Sequence, residues 1–207
     1  MYMDDGEDDL HAYYASQASY GSDKHHKLLT SYGYTQDPSL SSNDTRTYTR
    51  PDKTIVSYKG TNPFSLKDLN ADKDIGLGRH RSNREFKAAS DTAKRAKEKY
   101  RNKIITTGHS LGGTKAIESA NDVGGRAIAF NPGTGLRGLD TGSHKVYIHE
   151  KDLIASRVKG SNVTKVKGGS RFTPIKSHSI DTFEDTIQKR SAGRATARGV
   201  YKKQRMR

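Results

Sequence analysis

From residue 51 to about 186 the apolar residues fall into short runs separated by polar turns. Thr54-Ile55-Val56-Ser57-Tyr58 is dominated by β-branched and aromatic residues and predicts a strand ended by Gly60. Between Arg84 and Tyr100 the apolar positions Phe86, Ala89, Ala93, Ala96 and Tyr100 recur at three- and four-residue steps, the spacing of one helix face. Ile104-Ile105-Thr106-Thr107 predicts a second strand. Thr114 to Ala120 predicts a helix that turns Ala116, Ile117 and Ala120 inward. Ala127-Ile128-Ala129-Phe130 reads as a buried strand stopped by Asn131-Pro132-Gly133, and Val146-Tyr147-Ile148-His149 as another. Strands alternating with helices predict an α/β fold with a mostly parallel sheet flanked by helices.

The segments on either side read differently. Residues 1–50 are rich in Ser, Thr, Asp and Tyr, with Leu10, Leu28, Leu29 and Leu40 among their few aliphatics. Such a stretch buries too little apolar surface to offset the entropy of ordering it. It is expected to be a flexible or loosely docked extension, unless its seven tyrosines pack on the domain. The expected division is therefore an acidic-start extension over 1–50, a folded domain over 51–186 and a basic tail over 187–207. Composition sharpens this division. Hydrophobic residues make up only 31% of the 207 residues, a lean figure for a globular chain, and the two ends account for much of the deficit.

Chemistry enters at the turn after the second strand. Gly108-His109-Ser110-Leu111-Gly112 fits G-x-S-x-G, and it lies between a β-branched strand and a helix. A nucleophile elbow needs that setting, because the sharp turn pushes the serine hydroxyl clear of the sheet while small neighbours let strand and helix approach. The helix N-terminus adds backbone N–H groups beside it. The same residues are not a phosphate-binding loop. That loop needs Gly-Lys-Ser/Thr at its end, whereas Gly113 is followed by Thr114 and only then Lys115.

From Ile55 to His178 the chain resembles the class 3 lipases, the fungal-lipase-like branch of the α/β-hydrolases. Ile55-Val-Ser-Tyr-Lys-Gly-Thr61 is similar to their first core strand, and Leu66–Asp72 to the segment after it. Ile104-Ile-Thr-Thr-Gly-His-Ser-Leu-Gly-Gly113 is the most specific match. Ala127–Gly133 resembles the next strand and its turn, and His149–Ile154 the strand end that carries the family's aspartate. Lys59 stands where the family usually has Arg, Lys115 is charged where a small apolar residue is usual, and the domain is shorter than a typical fungal lipase.

A serine nucleophile needs a base within hydrogen-bond reach and a carboxylate to orient that base. In α/β-hydrolases they follow in the order Ser, Asp or Glu, His. Of eight histidines only His144, His149 and His178 come after Ser110. Asp152 lies just past the strand that holds His149, with Glu150 as a weaker rival, and only His178 follows it. The order selects Ser110, Asp152 and His178, and the resemblance agrees. Oxyanion donors are expected in the backbone N–H groups of Leu111 and Thr61, on an elbow built from Gly108, His109, Gly112 and Gly113. His109 itself is expected to be packing or pocket wall. The expected reaction is hydrolysis of lipid carboxylic esters of the lipase or phospholipase A type. It calls for no cofactor and no metal.

The formal charge is +14, which favours anionic partners. Lys94, Arg95, Lys97, Lys99, Arg101 and Lys103 crowd one helix and its exit. Arg157, Lys159, Lys165, Lys167, Arg171 and Lys176 lie between the expected acid and base. Each basic residue near an anionic membrane contributes about 1 kcal/mol, so such a surface is one expected partner. From Thr186 onward there are eight bases and no acid, an arm suited to nucleic acid, membrane or the acidic N-terminus. The competing reading is a lipase-fold protein with a weak or dead site, acting as a structural or nucleic-acid-binding component, for example in a virus particle. No run of 18 apolar residues is present, the start has no signal-peptide pattern, and there is no Cys. The expected location is intracellular or virion-associated.

Overall fold

The computed structural model describes residues 6–60, 84–134, 138–152, 155–167 and 178–193. In chain order the elements are α1 (Gly6–Ser19), α2 (Asp23–Ser31), β1 (Thr35–Gln36), β2 (Thr45–Arg50), β3 (Lys53–Tyr58), α3 (Arg84–Tyr100), β4 (Lys103–His109), α4 (Leu111–Val123), β5 (Arg126–Phe130), β6 (Leu139–Asp140), β7 (Lys145–His149), β8 (Val158–Lys159) and β9 (Val163–Val166). A last helix, α5, covers 184–193. The four strands and two helices expected between 54 and 149 all form, each within a few residues of its expected ends.

The main sheet has seven strands in the order β1-β2-β3-β4-β5-β7-β9. The first two pairings are antiparallel. Every pairing from β3 to β9 is parallel. This is an α/β fold with a mostly parallel sheet flanked by helices. Alternate strand residues feed opposite faces, as the period of two requires. Ile55, Ile105, Ile128, Phe130 and Tyr147 pack on α1, Leu29 of α2 and Ile187 of α5. On the other face Val56 and Ile104 meet Ala89, Ala93 and Ala96 of α3, while Ala127, Ala129, Val146 and Ile148 meet Ile117 and Ala120 of α4. Among the described residues, no helix is long and apolar enough to cross a membrane.

Two expectations about the ends are corrected. Residues 6–50 are not a flexible extension: α1 is buried on nearly every side, and β1 and β2 extend the sheet. Tyr13, Tyr34 and Tyr48 are among the most buried large side chains, so the tyrosines supply the apolar area that the missing aliphatics do not. The aspartates of α1 are paired rather than solvated. Asp8 accepts hydrogen bonds from Lys53 Nζ (2.7 Å) and Lys103 Nζ (2.5 Å), and Asp9 from Lys145 Nζ (2.6 Å) and Tyr147 Oη (2.8 Å). Lys53, Lys103 and Lys145 are the first residues of three parallel strands, so α1 begins at the edge of the sheet where those strands start. At the other end the basic tail does not begin at 187: α5 runs to 193 with Ile187 fully buried. The residues 1–5 and 194–207 of the two ends lie outside the described residues.

Much of the expected basic face is used within the fold. Lys99 pairs with Asp37 (2.7 Å) and Lys103 with Asp8. Lys97 Nζ donates to the Val123 carbonyl, and Arg95 to the Ser39 carbonyl.

Candidate active site

The strands β3, β4, β5 and β7 end together, and the expected site residues gather at those ends. β4 stops at His109, and α4 begins at Leu111. Ser110, alone between them, has φ 57° and ψ −129°, a conformation that costs an L-residue free energy and persists only where the surroundings fix it. They do fix it here: Ser110 N–H donates to the Phe130 carbonyl (3.1 Å), and the Ser110 carbonyl accepts from Gly113 (2.9 Å) and Gly133 (3.0 Å). The glycines are there for contact. A Cβ on Gly108 would run into the backbone of Gly112, and one on Gly112 into the Tyr58 carbonyl. A Cβ on Gly113 would come within 3.1 Å of the Pro132 Cα. Strand, turn and helix are thus packed to the limit that a side-chain-free backbone allows.

Asp152 follows β7 and is tied back to it by its N–H on the His149 carbonyl (2.9 Å). His178 precedes the 3-10 turn Ile180–Phe183, whose Ile180 and Phe183 enter the α1 side of the core. The two meet: His178 Nδ1 lies 2.6 Å from Asp152 Oδ2, and His178 Nε2 lies 2.9 Å from Ser110 Oγ. Asp152 also accepts from Ala155 N–H (3.3 Å). All three side chains are buried, Ser110 with 2% of its surface accessible. Glu150, the rival acid, is exposed. A carboxylate on Nδ1 holds the proton there and leaves Nε2 as an acceptor for the Ser110 hydroxyl.

Leu111, the first residue of α4, has the N–H that a helix start leaves without an intrahelical partner. The other expected oxyanion donor, Thr61, lies outside the described residues, as do Leu66–Asp72, Arg171 and Lys176. The described segment after β3 stops at Gly60. His144 and His149 take no part in the Ser110 chain. His144 bonds Asn121 (2.9 Å) and receives the Ala127 N–H (3.3 Å), and His149 receives the Lys151 N–H (3.2 Å). Among the described residues no cluster of three His, Asp or Glu is arranged to hold a metal ion.

Sequence reasoning missed two residues beside this chain. Tyr20, just past α1, places its hydroxyl 3.1 Å from the Gly60 N–H and 3.1 Å from His109 Nδ1. Asn131, at φ 40°, donates to the His178 carbonyl (3.3 Å) and accepts the His149 N–H (2.8 Å). Asn131-Pro-Gly was legible only as a strand stop. Tyr20 had no signal, because it is one of seven tyrosines in a segment read as unfolded. His109 is more than wall: its Nε2 meets the His178 carbonyl at 2.5 Å. Burial, and after it the neighbouring His178, push His109 down to about 3, so its ring is neutral at pH 7.

A search of the curated proteins finds no significant match. The family comparison does. The model that matches is described as phospholipase-like, a Tle-like phospholipase domain, and it spans residues 3–180. It therefore takes in α1 and α2 as well as Ser110, Asp152 and His178. The match supports a lipase- or phospholipase-like family, as the resemblance implied, without singling out the class 3 branch. With a match that covers most of its length, the chain belongs to the Tle-like phospholipase domain family.

Proposed function

We propose that the protein is a serine hydrolase that cleaves a carboxylic ester of a phospholipid through an acyl-enzyme. The observation that carries this reading is the continuous Ser110–His178–Asp152 hydrogen-bonded chain on a strained strand-to-helix turn. Family membership supplies the substrate class. The likeness of residues 104–113 to class 3 lipases points to the same bond.

In the proposed reaction Ser110 Oγ attacks the ester carbonyl while His178 Nε2 takes its proton. Asp152 keeps the second proton on Nδ1 and stabilises the imidazolium that forms. The Leu111 N–H, with Thr61 as its expected partner, takes the oxyanion; one such donor contributes about 3 kcal/mol to transition-state binding. His178 then protonates the departing lysophospholipid alcohol. Water enters, gives a proton to His178, and releases the fatty acid while Ser110 recovers its own proton. The phospholipid preference rests on the family and not on the basic helix, since several of those bases are held by partners within the fold.

The test is phosphatidylcholine and phosphatidylglycerol vesicles with mass analysis of the products. Wild-type protein is expected to release fatty acid and lysophospholipid and to bind a fluorophosphonate at Ser110, and Ser110→Ala to do neither. Equal hydrolysis by Ser110→Ala would exclude the mechanism.

A further inference from the structure

Distances fix the donor and acceptor assignment around His109: the Tyr20 hydroxyl lies 3.1 Å from His109 Nδ1 and 3.5 Å from the His109 carbonyl, so its proton goes to the nearer Nδ1. The His178 carbonyl can only accept, so the His109 Nε2 that meets it at 2.5 Å must carry the proton. A neutral ring then leaves Nδ1 bare, an acceptor for the Tyr20 hydroxyl 3.1 Å away. That hydroxyl has one proton to give and a lone pair to receive, and the Gly60 N–H fills the lone pair at 3.1 Å. The result is a directed chain: Gly60 N–H to Tyr20 oxygen, Tyr20 O–H to His109 Nδ1, His109 Nε2–H to the His178 carbonyl. Gly60, two residues past the end of β3, precedes Thr61, the expected oxyanion donor, and His178 is the expected base. The Gly60 N–H is itself consumed, so it cannot serve the oxyanion.

The chain has a fixed footing. α1 starts at the first residues of the parallel strands, where Asp8 and Asp9 bind Lys53, Lys103 and Lys145. At about 1.5 Å per residue its 14 residues span about 21 Å, the length needed to carry Tyr20 to the strand ends. On the way the Ala12 carbonyl lies 3.2 Å from the Thr107 hydroxyl, whose proton goes to the nearer Ile128 carbonyl (2.7 Å), and the Gln17 amide donates to Asp181 (2.7 Å), three residues beyond His178. The same helix therefore holds the elbow strand, the base loop and the end of β3.

We infer that Tyr20 and His109 are positioning residues that lock the backbone of the general base to the oxyanion strand. The inference rests on the hydrolase reading. Neither residue touches the substrate; they act through His178 and Gly60. A displacement of the base by about 1 Å can cost on the order of 100-fold in rate. Removing the chain should therefore lower kcat while leaving KM nearly unchanged.

Two measurements test it. With vesicle substrate, Tyr20→Phe is expected to lower kcat roughly 10- to 100-fold at constant KM. His109→Gln keeps a donor at the Nε2 position and should retain more kcat than His109→Asn, which does not. A Tyr20→Phe variant with wild-type kcat, or equal kcat in the two His109 variants, overturns the relay. Independently of any turnover, ¹⁵N NMR of the wild-type protein at pH 7 is expected to show His109 as the Nε2–H tautomer. Its Nδ1 resonance should move towards that of a free acceptor in Tyr20→Phe. A His109 that carries its proton on Nδ1, or does not respond to Tyr20→Phe, refutes the relay. Failure of the hydrolase reading shows up separately, as a wild-type protein that releases no fatty acid and binds no fluorophosphonate, and the NMR result then decides the relay alone.

Discussion

Asp152 bonds only one nitrogen of His178, and that bond decides which tautomer faces Ser110. Replacing it by Asn keeps the shape and reverses the donor, so Asp152→Asn is expected to lower kcat about 10⁴-fold with the fold intact, read by ester hydrolysis beside a thermal melt. At the far end of the sheet single residues govern stability instead. Asp9 and Lys145 are both fully buried at 2.6 Å. Asp9→Asn removes the charge beside a buried ammonium, and about 3–5 kcal/mol of unfolding free energy should go with it in urea titration. Asp8 gives a pH signature. Burial raises its pKa, but the hydrogen bonds from Lys103 and Lys53 outweigh that and leave it below the ordinary 3.8. A folded-state pKa below the unfolded one stabilises the protein above the unfolded value and is lost as pH falls through the folded one. Acid titration should therefore show stability falling from about pH 4 downward, and a shallower fall in Asp8→Asn. Ser110, Asp152 and His178 were legible because the expected hydrolase order, Ser then acid then His, picks them out along the chain. Tyr20 and Asn131 were not, since a hydroxyl or an amide that holds a backbone group leaves no spacing to read.

Elements whose apolar residues lie on one face were readable from that face. α3 shows it best: of the five positions its three- and four-residue spacing selects, Phe86, Ala89, Ala93 and Ala96 are buried and Tyr100 is half-buried, with Ser90 the one further buried residue. The strands β4, β5 and β7 were legible as runs of apolar and β-branched residues. α1 defeated the same reading for a physical reason. It is buried on nearly every side, so its apolar residues need no face, and its acids look like a solvated run until their lysine partners are seen. α4 was placed correctly but drawn short at both ends. Its end is set by Gly124, at φ +60°, with the nearest obstacle to a Cβ 3.9 Å away. Space is therefore not the constraint there, and Gly124→Ala should cost about 1–2 kcal/mol through the left-handed backbone alone, visible as a lower Tm without loss of kcat.

At the scale of the whole molecule the domain does not begin at residue 51. β3 has β2 on one side and β4 on the other, and α1 covers the face that Ile55, Ile105 and Ile128 present. A fragment of residues 51–186 loses that cover together with the carboxylates for Lys53, Lys103 and Lys145. It is expected to be insoluble or to expose its apolar face to a dye such as ANS, whereas residues 1–193 should melt cooperatively. The pairing of α1 with the strand starts also fixes an order of events in time. Asp9 and Lys145 are separated by 136 residues, so when the chain emerges from a ribosome its first helix must wait for most of the sheet before its charges find partners. Such distant closures slow folding and leave the earliest segment exposed the longest. α1, made before the strands it pairs with, is then among the last parts to settle, and refolding should be limited by its docking rather than by the sheet.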